Sequence, residues 1–363
     1  MKHSTLLTGA LLGGMLFSTS ALADGIRASL EMSKQNFAAN EDVTVRVTLT
    51  NDEKVPVKVL KWYTAADGVE ESLFKVSVNG EEKHYLGAHF KRPAPQSKDY
   101  IKLKAGESVS YDVELSSLYD MTEQGNYEIA YQVSSLQLFA PNPGQQNKLA
   151  RLGIEGIQSD AVSFFHEGIE AKSGANKGKP GSGDGGGTPT EGVSFSGRCS
   201  NSQMSDTLAG LAAAKSMAAD AKGYLANNNS PASSVRYNTW FGSYNSSRWN
   251  TVSNNFSAID SALNTQPLTF DCSCKKSYYA YVYPNQPYKI YLCNAFWSAP
   301  VSGTDSKGGT IVHEMSHFDV VAGTDDVVYG QSGAKSLAQS NPDQAIQNAD
   351  SHEYFAENTP FQN

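Results

Sequence analysis

A chain of 363 residues is longer than one ordinary core supports and suits two domains. With 39% hydrophobic and 18% charged residues its composition is globular, which excludes a wholly disordered protein. A net charge of −8 argues against a nucleic-acid partner, because a phosphate-binding protein needs a basic face.

The chain opens with Lys2 and His3, an apolar run from Leu6 to Phe17, and the small-x-small site Ala21-Leu22-Ala23. This pattern reads as an export signal over residues 1–23, with a mature chain starting near Asp24 and an extracellular destination. The run is too short for a hydrocarbon layer of roughly 30 Å, so no membrane anchor is expected.

Residues 24–166 read as strands. Ala28–Met32 and Val43–Leu49 alternate apolar and polar with period two. Similar runs recur at Val55–Leu60, Phe74–Val78, Ser108–Leu115, Tyr127–Val133 and Ala161–Phe165, with turn residues between them. Seven or so short strands over roughly 140 residues predict an immunoglobulin-like sandwich. This half has no cysteine, and His84, His89 and His166 are expected to be ordinary surface or strand histidines. Residues 167–192 are poor in apolar side chains and rich in glycine and lysine, which predicts a flexible, protease-accessible linker.

The part from 193 to 363 reads as mainly helical. Helices are expected over Met204–Leu225, Val235–Leu263 and from Gly309 to about Val321, and again from Ala334 onward. Two short strands are expected at Tyr279–Tyr283 and Lys289–Leu292. All four cysteines lie here, and an even count in an exported protein predicts two disulfides. Cys272 and Cys274 are too close to favour pairing with each other. That leaves Cys199–Cys272 with Cys274–Cys293, or the crossed pairing.

His313-Glu314-Met315-Ser316-His317 is an H-E-x-x-H motif. On a helix, positions i and i+4 share a face, so both imidazoles can bind one tetrahedral zinc. Glu314 would then serve as general base toward a metal-bound water. The third ligand has three possible sources. The metzincin continuation is absent, because Val320 and Gly323 stand where glycine and histidine are required. A glutamate from a later helix would be Glu353 or Glu357. A nearer carboxylate lies in Gly323-Thr324-Asp325-Asp326-Val327-Val328-Tyr329-Gly330, after a glycine expected to end the helix.

H-E-x-x-H followed by G-T-x-D-x-x-Y-G resembles the aspzincins, the deuterolysin and peptidyl-Lys metalloendopeptidase family. The likeness extends from Gly197-Arg198-Cys199-Ser200 to the terminus, through Arg236–Gly242, Tyr281–Pro284, Cys293–Trp297 and Asn348–Phe355. The whole arrangement also looks like secreted bacterial aspzincins described as toxic extracellular endopeptidases. The resemblance implies a zincin-like α+β catalytic domain with a small sheet, holding one zinc per domain. It implies Asp326 as third ligand, with Asp325 a solvated turn residue, and Tyr329 as oxyanion donor. It implies disulfides Cys199–Cys272 and Cys274–Cys293. In the peptidyl-Lys branch, acidic residues matching Asp350 and Glu353 bind a lysine after the scissile bond. His352 and Glu357 are expected to be structural or surface residues.

The expected protein is therefore a secreted, monomeric zinc endopeptidase acting on proteins or peptides, with a virulence exotoxin as one possible setting. The strand-rich domain would be its inhibitory propeptide, and self-cleavage could occur before Lys172, Lys177 or Lys179 in the linker. A rival reading is a secreted β-sandwich adhesin carrying an inactive or non-peptidase zinc domain.

Overall fold

The computed structural model describes residues 25–140, 155–169 and 192–362. The expected export segment and most of the expected linker lie outside the described residues. The seven expected N-terminal strands are present with small shifts at their ends, and Phe74–Val78 matches to the residue. Short strands that the pattern did not predict are added at Asn36–Phe37, Glu81–Lys83, His89–Lys91, Tyr100–Leu103 and Glu155–Gln158.

In the N-terminal half, Ile26–Met32, Thr44–Asn51 and Ser108–Glu114 form one antiparallel sheet. A second sheet is centred on Gly125–Ser135, which pairs with Phe74–Val78 on one side and with Val162–His166 and Glu155–Gln158 on the other. Strict alternation of buried and outward residues along Gly125–Ser135 places Tyr127, Ile129, Tyr131 and Val133 inside. They share one core with Val45, Val47 and Leu49 of the first sheet.

The C-terminal half is mixed rather than helical from its start. Val193–Ser196 and Leu268–Asp271 are strands, and they pair in parallel with each other. Lys289–Leu292 and Ala280–Val282 extend that sheet. The single helix expected over Val235–Leu263 is two, Val235–Phe241 and Ser246–Thr265. Gly242 separates them with φ 79°, a conformation that favours glycine, and Asn245 caps the second. The disulfides are Cys199–Cys272, which ties the end of strand Leu268–Asp271 to the start of the long helix Asn201–Asn227, and Cys274–Cys293, which ties the segment after that strand to the end of Lys289–Leu292.

The C-terminal sheet has a fifth strand, and it comes from the other half of the chain. His89–Lys91 pairs antiparallel with Ala280–Val282, so that Ala280 faces Lys91, Tyr281 faces Phe90 and Val282 faces His89. The edge of the C-terminal sheet is thus occupied by an N-terminal segment.

Candidate active site

The helix that carries the H-E-x-x-H motif spans Lys307–His317, and all of its residues are buried. Its first turn is fixed by Ser306, whose hydroxyl accepts a hydrogen bond from the Gly309 amide at 2.9 Å. Glu357 holds Ser306 in turn, accepting from its amide and its hydroxyl at 2.8 Å each. Glycine at 309 makes this possible, because a Cβ there would lie 2.1 Å from Glu357 Oε1. The helix ends at His317, six residues before Gly323. Gly323 lies instead in the loop that turns back, with φ 57°.

That loop returns along the helix. Thr324 donates its amide to Ser316 O at 3.1 Å, and the Ser316 and Thr324 hydroxyls are 2.6 Å apart. Asn348 Oδ1 accepts the amides of Val327 and Val328 at 3.0 and 3.1 Å. These bonds bring Asp326 against the histidines. His313 Nε2 lies 3.1 Å from Asp326 Oδ1, and His317 Nε2 lies 3.5 Å from Asp326 Oδ2. Asp325, beside it, is exposed.

Several of these atoms lack ordinary partners. His313 Nε2, His317 Nε2, Asp326 Oδ1 and Glu314 Oε2 are buried without a hydrogen-bond partner. Orphaned buried polar atoms are costly, and two imidazole nitrogens beside a carboxylate oxygen form a zinc donor set. The outer nitrogens differ: that of His317 is hydrogen-bonded, and that of His313 faces carboxylates without a hydrogen bond. His317 Nδ1 lies 2.7 Å from the Thr324 carbonyl and donates to it, leaving Nε2 as the donor toward a metal. His313 Nδ1 lies 3.0 Å from Asp350 Oδ1 and 3.2 Å from Glu353 Oε2. The residues therefore fit a zinc ion. Burial pushes the Glu314 carboxyl up to about 7 despite the nearby histidines, a value suited to taking a proton near neutrality. Glu353 sits on His313 Nδ1 and Glu357 on Ser306, so neither glutamate replaces Asp326 beside the Nε2 atoms.

Asp350 and Glu353 are fully buried on the helix Ala349–Glu357, not solvated at its end. Between them lies the ammonium of Lys91, 2.9 Å from Asp350 Oδ1, 2.9 Å from Glu353 Oε2 and 3.2 Å from Asp305 Oδ1. The Tyr354 ring lies 5.2 Å from the same ammonium, and the Tyr354 hydroxyl donates to Asp305. Burial alone would lower the lysine, but Asp350 and Glu353 outweigh it and hold its pKa well above the ordinary value. Asp305 was not anticipated from sequence, since it stands before the motif helix and carries no spacing signature.

The backbone of the same strand crosses the candidate metal ligands. The Phe90 amide donates to Asp326 Oδ2 at 3.0 Å, and the Lys91 amide lies 3.3 Å from Glu314 Oε1. His89 therefore differs from the ordinary surface or strand histidine that the sequence led one to expect. Its ring centroid is 4.9 Å from that of His317, and its side chain is 13% exposed. Nor does the Tyr329 hydroxyl stand free. It donates to Glu71 Oε1 at 2.8 Å and accepts from Arg92 Nη1 at 2.6 Å. Its ring packs edge-on against Trp62 at 5.1 Å, within the N-terminal core.

An H-E-x-x-H helix, a returning carboxylate and a base beside them define a metal-dependent peptidase centre. The sequence profile of the aspzincins, described as lysine-specific metallo-endopeptidase, matches residues 225–357. The chain is 46% identical over 360 residues to an "Extracellular protease" of Aeromonas hydrophila, covering 97% of both chains. It is 35% identical over 331 residues to a "Peptidyl-Lys metalloendopeptidase" of Armillaria mellea, covering 89% of each. A solved zinc peptidase from Grifola frondosa is 47% identical and aligns along its full length with 46% of this chain, at a TM-score of 0.43. The chain belongs to the aspzincin family of zinc metalloendopeptidases.

Proposed function

We propose that the protein is a secreted proenzyme that, once freed of its N-terminal domain, cleaves peptide bonds on the N-terminal side of lysine. The observation that carries this reading is Lys91, seated between Asp350, Glu353 and Asp305 with its amide against Glu314. A lysine whose own amide nitrogen lies at the candidate base occupies the place of the residue after a scissile bond. The relatives named peptidyl-Lys metalloendopeptidase support the same preference.

In this reading His313, His317 and Asp326 hold one zinc, which when bound polarises the substrate carbonyl and activates water. Glu314 takes the proton from that water and returns it to the departing amide nitrogen, which its carboxylate already faces. Asp350, Glu353 and Asp305 bind the substrate ammonium, and burial makes this discrimination strong because an uncharged side chain would leave carboxylates unpaired. Tyr329, released from Glu71 and Arg92, stabilises the tetrahedral oxyanion.

Residues 24–166 would be the propeptide, an immunoglobulin-like sandwich, and 193–363 the protease. The two sheets over one core support the first assignment. The edge strand His89–Lys91 fills the cleft as a substrate would, so removal of this domain is needed for activity. Lysines in the 167–192 linker offer sites for self-release. Residues 1–23 would direct export, and the likeness to an extracellular protease of Aeromonas hydrophila fits a secreted factor that could act as a toxin.

The test is metal content and processing of three purified full-length chains. Wild type should bind one zinc per chain and mature. Glu314→Ala should keep the zinc and stay full length. Asp326→Ala should lose both zinc and activity. Full activity with stoichiometric zinc in Asp326→Ala would overturn the ligand assignment. Normal maturation of Glu314→Ala, in the absence of other proteases, would overturn self-cleavage.

A further inference from the structure

A strand with lysine in the specificity pocket and its amide at the base should be cut at the Phe90–Lys91 bond. The same strand nevertheless serves as the edge of the sheet in the intact chain. Something in it must oppose hydrolysis, and the position two residues before Lys91 supplies a chemical means.

Side chains alternate along a strand, so His89 and Lys91 point to one face and Phe90 to the other. Phe90 packs on Tyr278 and Tyr281, with ring centroids 5.3 Å away in both cases. Lys91 enters the acidic pocket. His89 is thereby directed at the candidate metal ligands, where one donor atom each from His89, His317 and Asp326 lies within 4.8 Å of the others. A catalytic zinc has three protein ligands and one open position for water. A fourth protein ligand there excludes the nucleophile.

We propose that His89 is a fourth zinc ligand in the intact chain, taking the water's position and holding the enzyme latent while its own strand occupies the cleft. The proposal rests on His313, His317 and Asp326 being the resident ligands. It assigns separate tasks to one short strand: Lys91 gives affinity, and His89 removes the water that would cut beside it. The chain needs no cysteine for this, and its N-terminal half has none.

With the imidazole removed, water can add to the Phe90 carbonyl carbon. The Phe90–Lys91 bond then breaks, Phe90 keeps the new carboxylate, and Lys91 takes the proton from Glu314 to leave as a free amine. The same residue that inhibits would make the strand a substrate when deleted.

The test uses the zinc-loaded full chain carrying Glu314→Ala to prevent processing, with and without His89→Phe, which keeps an aromatic ring in place. X-ray absorption at the zinc edge should count three imidazoles in the parent and two in the His89→Phe chain. A chelator should remove zinc at least tenfold faster from the latter. Two imidazoles in both chains would overturn the proposal while leaving the zinc centre intact. A zinc shell unaffected by His313→Ala would instead overturn the underlying ligand set, and the proposal with it. In a chain with Glu314 restored, His89→Ala should yield a fragment beginning at Lys91, identified by mass spectrometry. A bond that stays intact there, while zinc is bound, would overturn the guarding role.

Discussion

Asp350 shows how one side chain is used several times. Its Oδ1 meets both the Lys91 ammonium and His313 Nδ1, and its Oδ2 accepts the Gly330 amide at 2.6 Å. Removing a partner from such a buried charged pair costs roughly 2–5 kcal/mol. We therefore expect Asp350→Asn in the mature enzyme to lower kcat/KM for lysine substrates by at least about 30-fold. Steady-state kinetics beside zinc content would check this, since loss of the metal alone would point to the His313 contact. His352 belongs to the same helix but is structural. Its Nδ1 lies 3.0 Å from the Asn348 carbonyl and its Nε2 3.0 Å from Asn255 Nδ2, so the neutral ring donates at one end and accepts at the other. Burial pushes it down to about 4. A histidine with a lowered folded value stabilises the fold fully above its unfolded value of about 6.5, and that contribution is lost as pH falls from there toward 4. The loss should total roughly 3 kcal/mol. Urea titrations at pH 7, 5.5 and 4 should show a shallower acid loss in His352→Gln, whereas parallel curves for variant and parent would contradict this.

At the scale of elements, the legible parts were those whose pattern is local. Phe74–Val78 and the alternation in Tyr127–Val133 are readable because each strand buries one face in its own domain. The H-E-x-x-H helix is readable because its spacing places both histidines on one face, whereas Asp326 was singled out only by the family resemblance. His89–Lys91 was not legible, since its pairing partner Ala280–Val282 is almost two hundred positions away in sequence and belongs to the other half. Three residues carry no period. The break at Gly242 was visible in principle, but the helix-favouring residues on both sides masked it. The strands Val193–Ser196 and Leu268–Asp271 are too short to outweigh the adjacent helical composition. The motif helix yields its own prediction. Gly309→Ala would drive a methyl into Glu357, whose carboxylate anchors the Ser306 cap. Overpacking of this kind costs typically about 1–3 kcal/mol, so thermal unfolding of the protease domain should shift downward. An unchanged melting temperature would show that Glu357 moves aside without loss.

For the whole molecule, the two halves meet through the strand His89–Lys91, through a buried Arg92–Glu71–Tyr329 cluster whose tyrosine ring lies in the N-terminal core, and through Leu136 packed against Val328 and Leu337. The contact contains buried charged groups, Lys91 and Arg92 with their carboxylate partners. After linker cleavage the N-terminal domain should stay bound, because Lys91 remains in its pocket. Lys91→Met leaves Asp350 and Glu353 unpaired and should weaken retention by more than about 100-fold, read by size-exclusion chromatography of the nicked protein. Co-elution equal to wild type would argue against the pocket as the anchor. The protease half also depends on its cross-links. Cys199–Cys272 closes a loop with a sequence separation of 73, worth about 4 kcal/mol through restriction of the unfolded chain. Reduction should therefore lower the unfolding temperature of the mature enzyme sharply, and an unaltered transition would contradict that role.

The proposed lysine preference is tested most directly by mapping cut sites. A denatured protein is digested with the mature enzyme, and the new N-termini are identified by mass spectrometry. Lysine should follow the cut at nearly all sites, and this bias should collapse in Asp350→Asn. A broad distribution of residues after the cut in the wild-type digest would contradict it.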